Sequence, residues 1–202
     1  MTVAAVAAAR AVSARRPGRS STVGGVKPPP TLTDGVVVLR ELREGDRAVV
    51  LSTMRDPLVA QWLNMPRVPT DRDFDSLVRL AHNGRLTGDR FDLTVTEADT
   101  DVSVGAVIAS RRHRDNYEVA YLAGPDGRGR GLMTRAVRLL CGWLFSAGVG
   151  RIEVRTHPDN APSQRLAERC GFQREGLERK SIWLHGQRAD AILWSLLPDD
   201  PR

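Results

Sequence analysis

The chemistry of this chain concentrates in residues 117–134, Y-E-V-A-Y-L-A-G-P-D-G-R-G-R-G-L-M-T. An alternating apolar stretch runs into a glycine turn, and the turn opens a helical pattern at Leu132. Gly129 and Gly131 carry no side chains, so backbone N–H groups of the turn can converge on a ligand. The helix N-terminus adds its own unpaired donors and the positive end of its dipole. Arg128 and Arg130 add fixed positive charge. The expected guest is a phosphate or diphosphate, hence a cofactor or nucleotide. On a bare loop the same residues would equally suit an Arg-Gly contact with RNA; the strand before and the helix after favour the phosphate. Two further polar groups flank the turn in chain order: Glu118, the only acid on its strand, and Asn160-Ala161-Pro162-Ser163 beyond the next strand.

The elements that must position these groups are legible from periodicity and punctuation. Residues 36–40 form a strand, and the turn at 43–46 supplies Asp46 as a cap for a helix over 47–54. A short helix over 57–63 precedes a loop bearing Pro66 and Pro69. Asp71 or Asp73 caps the next helix, in which Phe74, Leu77, Val78 and Ala81 keep helical spacing. Strands at 91–96 and 102–110 are joined by an acidic turn. After the glycine turn, the helix 132–147 lines Leu132, Ala136, Val137, Leu140 and Leu144 along one face, with Gly148 near its end. A strand at 151–157, a short helix at 162–169 closed by Gly171, a strand from Phe172, and a hairpin around His185-Gly186 complete the chain. The sum is a single-domain α/β fold, a mixed sheet of six to seven strands with helices on both faces.

Composition narrows the function classes. The chain has 202 residues with 41% apolar content, long enough for one domain with a substantial core. No run reaches the ~18 consecutive apolar residues of a membrane-spanning helix. Residues 1–30 hold five basic side chains and no acid, whereas the rest holds 25 basic and 24 acidic ones. The net charge of +6 therefore belongs mostly to the start of the chain, and a nearly neutral remainder disfavours a nucleic-acid-binding domain. We expect residues 1–31 to be a disordered basic extension, 32–198 the domain and 199–202 a tail; a targeting segment and a nucleic-acid contact are the alternatives for the extension. Cys141 and Cys170 fall at apolar positions outside any C-x-x-C pair, as buried free thiols of a reducing, cytoplasmic setting do. His82, His113, His157 and His185 lack ligand spacing, so no metal is expected.

Taken together, the R-G-x-G-L turn, the P-D-N-x-x-S segment and the E-R-x-G-F stretch resemble the GNAT superfamily of acyl-CoA-dependent N-acetyltransferases over roughly residues 32–198. The opening V-V-L-R-E-L-R-E-G-D at 37–46 and the closing L-H-G-Q-R-A-D at 184–190 resemble its Rim-type branch, which acetylates ribosomal-protein N-termini. The resemblance implies a mostly antiparallel sheet whose central strands, 117–123 and 151–157, splay apart. It implies that the backbone of Arg128, Gly129, Arg130, Gly131, Leu132 and Met133 cradles the diphosphate of acetyl-CoA. The backbone at Leu122 and Ala123 would pair with the pantetheine amides, Arg128, Arg130 or Arg135 would meet the phosphates, and Asn160 would reach the pantetheine or thioester. Glu118 would be the base that deprotonates the amine, directly or through water. Many superfamily members place a tyrosine four residues before the glycine of G-F; here Ala167 stands there. The Rim-type serine, Ser163, would then meet the departing thiolate.

Each residue also has a plainer role open to it. Glu118 can be a strand residue paired with an arginine, Ser163 a helix cap, and Asn160 the holder of a turn. His157 and His185 are weaker candidates for a base. Trp143 and Trp194 belong to the core, while Trp62 can line the acceptor side. The acceptor is a primary amine, either a protein N-terminus or a small amine such as an aminoglycoside or polyamine; a non-catalytic acetyl-CoA-binding module is the reading from another class. Monomer and homodimer both remain open, and no membrane partner is expected.

Overall fold

Leu132, Met133, Ala136, Val137, Leu140, Cys141 and Leu144 are all buried and recur at helical spacing, so one helix presents a continuous apolar stripe to a sheet. Each such wholly buried Leu or Val contributes about 1.5–3 kcal/mol of apolar burial. The computed structural model describes residues 26–64 and 68–201. The expected extension thus lies mostly outside the described residues, as does Pro66 of the loop. Among those described, eight strands form one sheet: β1 (Leu32–Thr33), β2 (Val37–Glu41), β3 (Arg90–Glu97), β4 (Ser103–Arg111), β5 (Asn116–Ala123), β6 (Arg151–Thr156), β7 (Gln173–Leu184) and β8 (Gln187–Leu196). Their spatial order is β1-β2-β3-β4-β5-β6-β8-β7. The helices are α1 (Arg47–Arg55), α2 (Pro57–Ala60), α3 (Asp71–Thr87), α4 (Leu132–Ser146) and α5 (Ala161–Arg169). No helix among the described residues is long and apolar enough to cross a membrane.

The sheet is antiparallel except between β5 and β6, where the α4 crossover makes the pair parallel. Tyr117, Val119, Tyr121 and Ala123 alternate on β5 and enter the core against α4. Glu118, Ala120 and Leu122 point to the opposite face, where α1 and α3 lie. Helices therefore cover both faces, as expected.

Four details differ from the sequence expectation. One more strand is present than the upper count of seven, because β1 spans only two residues and shows no periodicity. The segments expected as separate strands after Phe172 form one long β7, with register shifts at Arg174/Gly176 and Glu178/Ile182 that hide its alternation. Asp46 does not cap α1: its carboxylate turns inward to Arg40, at 2.8 and 3.0 Å, and accepts the Arg43 N–H. Helix α3 is capped instead by Thr70, with Asp73 reaching back to the Thr70 N–H in a capping box.

Candidate active site

The parallel pairing of β5 and β6 lasts only three residues. Asn116 faces Arg151, Tyr117 faces Ile152 and Glu118 faces Glu153, after which no pair forms although β5 runs on to Ala123 and β6 to Thr156. Each strand stays bonded on its far side, β5 to β4 and β6 to β8. The result is a V-shaped gap whose inner backbone edges, including Leu122 and Ala123, have lost their ladder partner. A guest with amide groups can take that place as an added strand would.

The glycine turn stands at the open end of this V. Gly129 and Gly131 adopt φ of +73° and +75°, a left-handed conformation that L side chains rarely adopt, and a Cβ built on either would meet nothing within 4 Å. No side chain caps α4; its first intrahelical bond runs from the Arg135 N–H to the Gly131 carbonyl at 3.2 Å, leaving the N–H groups of Leu132, Met133 and Thr134 ahead of it. A cleft of about 780 Å³ opens there, lined by Gly127, Gly129, Gly131, Met133 and, across from them, Pro162 and Leu166 of α5.

Of the three arginines expected at the phosphates, only Arg135 lines the cleft. Arg128 turns away to Asp56, 2.7 Å from its carboxylate, and also donates to the Ala123 carbonyl. Arg130 pairs with Glu97 at 2.6 Å. Arg138, Arg165 and Arg169 line the cleft with Arg135. Arg135 shares its guanidinium with Asp34 at 2.8 Å, while the Arg165 guanidinium has no bonding partner among the described residues. The signal for this set was present, since 135/138 and 165/169 are one turn apart on their helices.

Glu118 sits at the apex of the V, the last paired residue, rather than on the separated stretch. It is 3% exposed. Its Oε2 is held by Arg112, at 2.5 Å from Nε, and by Arg155 at 3.0 Å, whereas its buried Oε1 has no hydrogen-bond partner. A buried carboxylate oxygen without a donor is costly, so an N–H arriving there would be bound favourably. Glu153, opposite, is a second buried acid that the sequence did not single out. Burial alone would raise its carboxyl, but Arg151, Asn116 and Arg155 hold it below the usual carboxylate range. Arg155 links three acids, Glu118, Glu153 and Glu178.

On the α4 side of the gap, Asn160 is the N-cap of α5, its Oδ1 accepting the Ser163 N–H at 3.2 Å. The cap is thus Asn160, and Ser163 is the third residue of the helix. Ser163 is fully buried, and its Oγ lies 3.2 Å from the Tyr121 hydroxyl, which donates to the Ser163 carbonyl at 3.0 Å. Tyr121 was read only as a strand residue. Trp62 packs on His157 with ring centroids 5.2 Å apart, and a His185 ring nitrogen lies 3.0 Å from the Gln61 carbonyl. The end of α2 therefore meets both the end of β6 and the β7–β8 turn. Trp194 is core, its indole N–H bonded to Thr156, and Trp143 is half-buried edge-on against Phe91. Both cysteines are buried and free, and burial pushes the Cys170 thiol up to about 12. Among the described residues, no group of three or more His, Cys, Asp or Glu side chains stands close enough to hold a metal.

A parallel strand pair that separates toward an uncapped, glycine-led helix N-terminus sets unpaired strand edges beside a site suited to an anion. Residues 37–173 match the Acetyltransferase (GNAT) domain family, and the chain belongs to that family. It is similar to the uncharacterized N-acetyltransferase p20 of Bacillus licheniformis, 27% identical over 83% of this chain and 96% of that one. Among solved structures it is similar to the ribosomal-protein-S5-alanine acetyltransferase of Vibrio fischeri, with a TM-score of 0.72, 22% identity, and coverage of 86% of this chain and 100% of that one. RimJ of Mycobacterium smegmatis, solved with CoA-disulfide, superposes with a TM-score of 0.71 at 20% identity, covering 84% and 85% of the two chains. These likenesses bear out the expected fold.

Proposed function

We propose that this acetyltransferase moves an acetyl group from acetyl-CoA to a primary amine by direct attack, with a protein N-terminal α-amine as acceptor. The observation that carries this is the β5–β6 gap, with a glycine-led helix terminus at its open end and the half-bonded Glu118 carboxylate at its apex. The names of the ribosomal-protein acetyltransferases that share the fold support the acceptor class. Buried free thiols fit a cytoplasmic enzyme.

Bound acetyl-CoA supplies the activated thioester; the chain's own residues bind, orient and move the proton. The backbone of 128–133 and the α4 terminus hold the diphosphate, with Arg135, Arg138 and Arg165 supplying charge. The backbone edges at Leu122 and Ala123 hold the amides, and Asn160 fixes the start of α5 beside them. An amine is protonated at neutral pH and must lose a proton before it attacks. Glu118 takes that proton at Oε1, while Arg112 and Arg155 pin the other oxygen. As the N–C bond forms and the C–S bond breaks, Ser163 presents its hydroxyl to the sulfur. Backbone N–H groups of β5 meet the developing oxyanion.

Calorimetric titration with acetyl-CoA, dephospho-CoA and AMP tests this. Micromolar acetyl-CoA binding that weakens for both controls is the expected result. Absence of acetyl-CoA binding would overturn the proposal.

A further inference from the structure

A second cavity, of about 340 Å³, lies on the face of the sheet opposite α4, enclosed between α1, α3 and strands β3–β5. Its walls are apolar: Leu42, Met54, Leu77, Leu80 and Ile108 surround a floor of Ala106, Ala120 and Leu122. Ala120 and Leu122 belong to the strand that borders the gap. They follow Glu118 on the same face by two and four residues, about 7 and 13 Å along the strand. Glu118 itself lines a separate cleft with Arg112, Glu153 and Arg155, on the same face of β5, so an amine at its Oε1 reaches this cavity only with a substituent that runs along the strand past Ala120. The space is more than ten times the ~30 Å³ that one water occupies in the liquid, far beyond the need of a methyl or hydroxymethyl group.

The charges of the cavity cancel or are committed. Arg90 and Asp92 form a two-point ion pair inside it, at 2.7 and 2.7 Å. Asp73, the other carboxylate of the lining, is engaged by the Thr70 N–H and hydroxyl in the α3 capping box. That leaves one carboxylate, already hydrogen-bonded in the helix cap, to meet a polycation, whereas a lining of Leu, Ile and Met rewards apolar burial.

Building on the proposed amine acetylation, we infer that the acceptor carries a bulky apolar group next to its amine, of leucine or phenylalanine size, and that this cavity receives it. Specificity then follows from burial: one added methylene in an apolar site is worth roughly tenfold or more. Small first residues leave the cavity empty, and polyamines gain nothing from it.

The test uses the full chain saturated with CoA and titrated by calorimetry with tetrapeptides X-Ala-Ala-Ala, X being Gly, Ala, Leu or Phe, and with spermidine. Leu and Phe peptides should bind at least about tenfold tighter than the Gly peptide. Ala106→Phe, which fills the floor, should flatten the series. Ser76→Phe, on the exposed side of α3 at the cavity wall, should flatten it without a change in the core. A flat wild-type series, tightest binding of spermidine, or no peptide binding at all would overturn the inference. A parallel titration with acetyl-, butyryl- and octanoyl-CoA separates the remaining occupant: affinity rising with chain length, and lost in both variants, would assign the cavity to the donor's tail and overturn it too. If CoA itself does not bind, the acetyltransferase proposal fails; if CoA binds and the peptide series is flat, only this inference fails.

Discussion

The Tyr121 hydroxyl donates to the Ser163 carbonyl at 3.0 Å and lies 3.2 Å from the Ser163 Oγ, joining β5 to the first turn of α5 where β5 and β6 no longer touch. Burial pushes the Tyr121 phenol above its ordinary range, so the hydroxyl stays protonated and remains a donor. The pair therefore sets the position of the serine proposed to meet the thiolate.

Tyr121→Phe should cost about 1 kcal/mol of stability, the net worth of one buried hydrogen bond. Turnover should fall further than stability predicts, by about tenfold to a hundredfold, because a small displacement of a positioned group is expensive. Ser163→Ala should slow turnover with little change in melting temperature, since the Asn160 cap uses the Ser163 backbone N–H and survives. Steady-state kinetics beside thermal melts separate the two effects; unchanged turnover in Ser163→Ala leaves that residue a packing role only.

Glu118→Gln should lower acetyl transfer at neutral pH by about 10²- to 10⁴-fold while acetyl-CoA affinity is retained. Arg155 keeps Glu153 and Glu178 in this variant, so the local charge network does not collapse. Single-turnover acetylation combined with calorimetry checks both halves of the prediction.

Gly131→Val should abolish or weaken acetyl-CoA binding by well over tenfold. The new side chain would project into the open space before the α4 terminus, and φ of +75° adds roughly 1–3 kcal/mol of backbone strain. Arg165→Ala, which breaks no ion pair among the described residues, should weaken acetyl-CoA while leaving the fold intact. Full affinity in both variants would move the phosphate site elsewhere.

The buried Arg40–Asp46 pair predicts the acid limb of stability. Burial alone would raise the Asp46 carboxyl, but the Arg40 guanidinium, the Arg43 N–H and the Thr94 hydroxyl hold it below the usual carboxylate range. A carboxyl depressed in the folded state stabilises fully above its unfolded pKa of about 4, and the contribution is lost as pH falls through the folded value. Urea midpoints should be level near neutrality and decline below about pH 4. Asp46→Asn should cost about 3–5 kcal/mol at pH 7, because Arg40 is left buried against a neutral partner, and should flatten part of that decline.

Helix α4, strands β2 to β6 and the order of turn, carboxylate and N-x-x-S segment were legible from residue order alone, because each is a local pattern. A 3.6-residue stripe, an alternation of two, or a glycine needing positive φ is written in neighbours along the chain. The register-shifted β7 and the two-residue β1 lacked that local signature. Contacts between distant residues had none at all. Arg128 and Arg130 adjoin the glycines in sequence, yet their partners Asp56 and Glu97 stand 72 and 33 positions away, and only folding brings those acids within reach. The same holds for the Tyr121–Ser163 bond, the arginines that converge on the cleft from two helices, and the Glu118 carboxylate left with one bonded oxygen and one bare. Sequence determined which residues carry charge and which face of each element is buried. Which charges cancel, and which stay available to a ligand, was decided by the tertiary structure, because an ion pair forms by distance in space and not by separation along the chain.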